Sequence, residues 1–156
     1  NCRLEGFNQF SPKRIILDRN LQIDLKSYIA KSIKNKNTII FHNSNDKSKI
    51  KLLKKRGTIL IKQSTDKYKN LDLKKILKDL YKMEIRNLLV EGGDILTKNF
   101  IQKKLFNEFY VFRSSKNLSK NKKHVNFTSF SILNTKYNKH KINSKLATDK
   151  LTIYKN

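Results

Sequence analysis

The chain has 156 residues, 37% of them hydrophobic, and a formal net charge of +24. That length suits one domain with a real core, and at a mean hydropathy of −0.67 no apolar run approaches the roughly 20 residues of a membrane helix. A single cysteine, Cys2, excludes a disulfide framework and points to a reducing compartment.

No secretory leader is visible. The first residue is Asn1 rather than Met, as expected of a fragment whose upstream part lies elsewhere. The charge raises nucleic-acid binding as a rival reading. Yet the lysines run along nearly the whole chain, on the polar positions of ordinary helices, and no zinc-finger or aromatic RNA-binding motif accompanies them. A substrate and cofactor that both carry phosphate would also gain from a positive field.

In chain order, Arg14 to Asp18 is the first strand, bounded by Pro12. Leu21, Ile23 and Leu25 alternate as a short extended piece, and 26–33 holds a helical turn or two. Thr38 to Phe41 is a second, buried strand. Asp46 caps a helix through Lys55, which Gly57 ends. Thr58 to Ile61 is a third strand. Leu71 to Glu84 is the best helix, with Leu73, Ile76, Leu77, Leu80 and Tyr81 at helical spacing.

The stretch that organises the chain comes next. Asn87 to Val90 reads as a buried strand, Glu91 stands at its carboxyl end, and Gly92-Gly93 breaks it before a helix from Asp94 to Lys103. Two glycines let a ligand approach the backbone. The first N–H groups of the new helix make a seat for phosphate. Ligands of open α/β sheets sit at such carboxyl ends. By spacing alone a structural turn and a ligand site both remain open, since this is not a G-x-G-x-x-G pattern.

Farther on, 106–112 alternates as a strand and 114–124 is a Lys- and Asn-rich mobile loop. Residues 127–133, 136–143 and 150–155 are three candidate strands. Strands alternating with helices, then a run of strands, predict an α/β domain with a mixed sheet and helices on its faces.

Leu88-Leu89-Val90-Glu91-Gly92-Gly93, followed by a helix and then Leu105 to Val111, resembles the reductase domain of the riboflavin-biosynthesis deaminase-reductase family. Cys2-Arg3-Leu4-Glu5-Gly6 and Ser11-Pro12-Lys13-Arg14-Ile15-Ile16-Leu17-Asp18 resemble that family's Thr-x-Arg segment and its Pro-x-Arg-Ile-Val-Leu-Asp strand. Order and spacing agree from Cys2 to about Val111.

The resemblance implies a dihydrofolate-reductase-like fold. It implies NADPH-dependent reduction of the ribosyl group of 5-amino-6-(5-phosphoribosylamino)uracil to a ribityl chain, in the cytoplasm. It implies one reductase domain over 1–156, a phosphorylated small-molecule substrate and a homodimer. It assigns substrate binding to Arg3 and Glu91, and cofactor binding to Gly92, Gly93, Asp94, Ile95, Leu96 and Thr97. Arg19 is placed at the 2′-phosphate of NADPH by analogy with the fold. Asp94 departs from the family's usual uncharged residue; it caps a helix well but repels phosphate.

No catalytic acid–base pair is implied, because the cofactor carries the reaction. No metal site is expected in the chain, for zinc belongs to a deaminase domain whose Cys-x-x-Cys motif one cysteine cannot supply. His42, His124 and His140 have no partner spacing and read as surface or strand residues. The family's first reductase strand and its Asp-Asp-Pro segment have no counterpart in these residues, so little or no turnover is expected of the chain alone. Another reductase of the same fold, a basic binding module and an inactive remnant stay open as alternatives.

Overall fold

The computed structural model of the protein describes residues 11–33, 36–115, 130–142 and 149–156. The chain divides into two compact units, Asn1–Arg86 and Asn87–Asn156, each with its own sheet and core.

The first unit is built on a three-stranded parallel sheet in the order β1-β2-β3: β1 is Arg14–Leu17, β2 Thr38–His42 and β3 Ile59–Lys62. Parallel neighbours need crossovers, and helices α1 (Tyr28–Lys31) and α2 (Lys47–Lys55) supply them. Every residue of β2 is buried, as a central parallel strand covered on both faces requires. Ile16, Ile40 and Leu60 stand in register on one face. They pack in the cluster that contains Leu21, Ile33 and Leu53.

Side chains fix the helix ends. Asp46 accepts from the amide of Lys49 at 2.9 Å, and Asp72 caps α3 (Leu73–Lys82) by accepting from Lys74 and Lys75. Gly57, at φ 86°, follows the α2 C-cap Arg56 as the left-handed residue that ends the helix. At the amino end of the sheet, the Arg14 guanidinium donates to Ser32 Oγ at 2.7 Å, Ser32 O at 2.9 Å and Asn37 Oδ1 at 3.2 Å. Those bonds tie β1 to the segment that leads into β2.

The second unit carries an antiparallel sheet in the order β4-β6-β5, with β4 Glu108–Arg113, β5 Asn138–Ile142 and β6 Lys150–Lys155. Helices α4 (Asp94–Gln102) and α5 (Phe130–Lys136) serve one face. Ile101, Val111, Leu133 and Tyr154 form the buried cluster there, with Phe106, Phe109 and Tyr137 against it. The buried Tyr154 and the half-buried Tyr137 find acceptors for their hydroxyls: Tyr137 donates to Ile101 O at 2.7 Å and Tyr154 to Asn134 Oδ1 at 2.7 Å.

Two expectations are corrected. The strand over Asn87–Val90 is not formed: no ladder includes these residues, and Leu88, Leu89 and Val90 are 38%, 83% and 40% exposed. An apolar run supplies strand propensity, but a strand needs a neighbour for its N–H and C=O groups. Leu21–Leu25 joins no ladder, but its alternation holds: Leu21, Ile23 and Leu25 pack in the core while Gln22 and Asp24 are exposed; the Asp18 carboxylate accepts from the amides of Gln22 and Ile23 at 2.8 and 2.7 Å, and Leu21 takes φ 54°. The described part of 127–133 is helical, since Phe130 and Leu133 share the face that α5 turns to the core. Residues 127–129, and 116–124 of the expected loop, lie outside the described residues.

Candidate active site

Two places bear the residues singled out by sequence, one in each unit. In the second unit Glu91-Gly92-Gly93 leads into α4. Gly93 is the N-cap, extended at φ −71° and ψ 175°, and no side chain caps the helix. The amides of a first helical turn have no intrahelical partner, and their partial positive charge favours an anion.

The two glycines are there for different reasons. A Cβ on Gly92 would lie 2.7 Å from Leu96 Cδ2 and 3.2 Å from Leu96 Cβ, so the side chain of α4 occupies that space. A Cβ on Gly93 would meet nothing within 4 Å. The backbone is therefore open to an incoming group over Gly93 and closed by Leu96 at Gly92. Thr97 N–H donates to Gly93 O at 3.1 Å and starts the helical ladder. Ile95 is 75% exposed.

Glu91 is exposed, and its carboxylate has no hydrogen bond or ion pair to the described residues. It follows an extended segment rather than a buried strand, which corrects the setting expected for it. Asp94 stands in the first turn of α4. Gly92, Gly93, Asp94, Ile95, Leu96 and Thr97 thus form one continuous surface element beside Glu91. Arg3 lies outside the described residues.

In the first unit the carboxyl ends of the parallel strands form a polar rim. Past the last ladder residues the backbone stays zipped: Asn43 N–H donates to Arg19 O at 2.8 Å and Gln63 N–H to His42 O at 2.7 Å. Arg19 is exposed; its Nη1 donates to Lys69 O and its Nε to Asn20 Oδ1 at 3.2 Å. The guanidinium braces the loop after β3 and still faces solvent. Lys62 Nζ donates to Asn45 Oδ1 at 2.6 Å, and Lys75 Nζ to Ser64 Oγ at 2.9 Å. Three cations, Arg19, Lys62 and Lys75, therefore stand around these strand ends, where open α/β sheets bind ligands.

Sequence reasoning passed over Lys62 and Lys75; it took His42 for a surface or strand residue without foreseeing its burial. His42 ends β2, is 3% exposed, and its Nδ1 has no hydrogen-bond partner. Burial holds its pKa below the ordinary 6.5; a hydrogen bond to the Ser44 backbone opposes that shift and the Lys62 charge adds to it. The signal in the sequence was a titratable residue ending an otherwise apolar run, Thr38-Ile39-Ile40-Phe41-His42. His140 is exposed on β5, and His124 lies outside the described residues. Among the described residues no group of three or more His, Cys, Asp or Glu could hold a metal, and no helix is long and apolar enough to cross a membrane.

The chain is of the α/β class, with a cationic rim at the strand ends of the first unit and, in the second, an open helix start behind Glu-Gly-Gly. The family model of the RibD C-terminal domain matches residues 1–145, and the chain belongs to that family. The riboflavin biosynthesis protein RibD of Aquifex aeolicus (strain VF5) is 33% identical over 106 residues, which is 67% of this chain and 28% of that protein. Among solved structures, Acinetobacter baumannii RibD (form 1) matches at a TM-score of 0.66 and 18% identity, over 92% of this chain and 37% of the other. A pyrimidine reductase-like protein from Corynebacterium diphtheriae matches at 0.62 and 15% identity, over 92% of this chain and 60% of the other. These neighbours show the dihydrofolate-reductase-like fold. The chain spans well under half the length of the RibD proteins it matches.

Proposed function

We propose that this chain is the reductase part of a bifunctional riboflavin-pathway enzyme. It reduces the ribosyl group of 5-amino-6-(5-phosphoribosylamino)uracil to a ribityl chain, in the cytoplasm, with NADPH as cofactor. The observation that carries the reading is the start of α4. Gly93 caps it without a side chain, and the space where a Cβ would stand is open. That arrangement fits a pyrophosphate over the turn.

When bound, NADPH supplies the hydride, and a proton from water completes the reduction. The chain's own part is to bind and orient. Gly93 to Thr97 offer backbone amides to the pyrophosphate. The Asp94 carboxylate sits against this role and limits affinity. Arg19 presents a guanidinium suited to the 2′-phosphate. Glu91, with no partner among the described residues, is free to accept hydrogen bonds from amino or hydroxyl groups of the substrate. Arg3 is assigned to the substrate phosphate by its motif.

The test is titration of NADPH and NADH, followed by the fluorescence of the reduced nicotinamide, with cofactor oxidation measured in the presence of the ribosylaminouracil phosphate. NADPH is expected to bind more tightly than NADH, and Arg19→Gln to narrow the difference. Equal affinities would remove the 2′-phosphate assignment. No oxidation of NADPH by the native enzyme would remove the reductase assignment.

A further inference from the structure

Helix α3 turns Leu73, Ile76 and Leu80 into the core. What it leaves outside is Lys74, Lys75, Lys78, Tyr81 and Lys82. These four cations and one ring fall within about a third of the helix circumference, and Lys74, Lys78 and Lys82 follow one another about 6 Å apart along the axis. Tyr81 is 63% exposed. Arg86 lays its guanidinium over that ring, Cζ 4.1 Å from the centroid, so a second flat group extends the surface of the first.

The acids that could neutralise this face are turned away from it. Asp72 accepts from the amides of Lys74 and Lys75 as the N-cap. Asp79 accepts from Nε2 of the buried Gln63 at 2.9 Å. Glu84 lies past the C-cap Met83, at φ 63°. Lys75 is held by Ser64, but Lys74, Lys78 and Lys82 have no hydrogen bond or ion pair among the described residues. Like charges at this spacing repel along a helix, and a polyanion laid over the row removes that repulsion.

Charge alone does not single out α3. Helix α2 carries Lys47, Lys51 and Lys55 at the same spacing, with no aromatic residue. The ring is the difference. An open aromatic face between cations suits a chain that alternates flat bases with phosphates. The bases of a duplex are stacked on one another, whereas unpaired bases have faces to offer. An acidic peptide or an anionic bilayer would use the lysines and leave Tyr81 without a role.

We propose that the outer face of α3 binds single-stranded RNA, with phosphates along Lys74, Lys78 and Lys82 and one base stacked on the Tyr81–Arg86 pair. RNA is the single strand met in the cytoplasmic setting proposed above; the binding itself does not depend on the reductase reading.

Fluorescence anisotropy of a short labelled oligouridylate, titrated with the protein at several salt concentrations, tests this. Binding should weaken with salt, and Lys74→Gln, Lys78→Gln and Lys82→Gln should each make the slope of log affinity against log salt shallower by about 0.7. Lys55→Gln on α2, the matched control, should leave the slope where it was. Tyr81→Ala should weaken binding roughly fivefold to a hundredfold, the loss of one stacked base, with the slope unchanged. Tyr81→Phe should keep wild-type affinity. A duplex of the same length and phosphatidylglycerol vesicles should bind Tyr81→Ala as they bind the wild type. Undiminished affinity for the oligouridylate in Tyr81→Ala overturns the proposal, as does an equal loss for the duplex or the vesicles. So do lysines of α2 and α3 that contribute alike, or a wild-type protein that does not bind the oligouridylate at low salt. Thermal melts check folding; if Tyr81→Ala fails them, Tyr81→Gln takes its place and is read in the same way.

Discussion

Leu96 Cδ2 lies 2.7 Å from the point where a Cβ on Gly92 would stand, while the same point on Gly93 is clear to 4 Å. Adjacent glycines therefore answer to different masters, one to packing and one to approach from outside. Gly92→Ala forces the Leu96 side chain and the start of α4 to shift. Overpacking of this size costs about 1–3 kcal/mol, with the low end expected because a leucine terminus can rotate. Gly93→Ala meets no obstacle and, at φ −71°, no backbone strain. Its melting temperature should stay near wild type while NADPH affinity falls. Thermal melts beside cofactor titrations check both, and the reverse ranking in the melts would refute the assignment.

Glu91→Gln tests the substrate contact. The residue is exposed and has no partner among the described residues, so stability should hardly change. Losing a charge-assisted hydrogen bond costs about 1.5–3 kcal/mol, roughly tenfold to a hundredfold in kcat/KM. NADPH affinity should move much less. Wild-type kcat/KM in the variant would sink Glu91 as a substrate ligand.

His42 makes stability depend on pH in a predictable direction. Its folded pKa is held below 6.5 by burial, so below pH 6.5 the unfolded chain binds a proton that the folded one resists. The His42 contribution is fully present above pH 6.5 and is lost as pH falls through the lower folded value. Urea midpoints between pH 5 and 8 should drop toward the acid side. His42→Gln should flatten that part of the profile; a profile as steep as wild type would place the proton on another group.

The lysine row of α2 is a stability lever. Lys47, Lys51 and Lys55 repeat at four-residue spacing on the exposed side, and like charges so placed repel by about 0.2–0.5 kcal/mol a pair. Lys51→Glu turns two repulsive pairs into attractive ones, a gain of roughly 0.8–2 kcal/mol at low salt. The gain should shrink when salt is raised. Denaturation midpoints at two ionic strengths decide it, and a loss of stability would refute it.

Much of the first unit was legible. Thr38-Ile39-Ile40-Phe41 is apolar on both faces because both faces are covered, and Asp46, Asp72 and Gly57 punctuate the helices by local chemistry. Leu88-Leu89-Val90 misled for the opposite reason. Its composition is that of a buried strand, but pairing is a property of two segments, and composition names only one. The helix of Phe130–Lys136 was hidden by Ser and Thr positions that also suit a strand; the packing of Leu133 decides it. At the site, Gly-Gly was visible as a motif, whereas the division of labour between Gly92 and Gly93 depends on where Leu96 comes to rest. Lys62 and Lys75 were lost among 36 basic residues, since only topology brings them to the strand ends.

The bare Leu88-Leu89-Val90 stretch has a practical consequence in the test tube. Three strand-forming side chains with no proline and no charge among them, left without a partner, are the kind of window that stacks chain on chain into cross-β aggregates. Arg86 on one side and Glu91 on the other act as gatekeepers. The molecule's high positive charge does the rest, holding neighbours apart in dilute buffer. Concentrated stocks should therefore keep best at low ionic strength, and light scattering during storage should grow first in samples where salt has removed that repulsion.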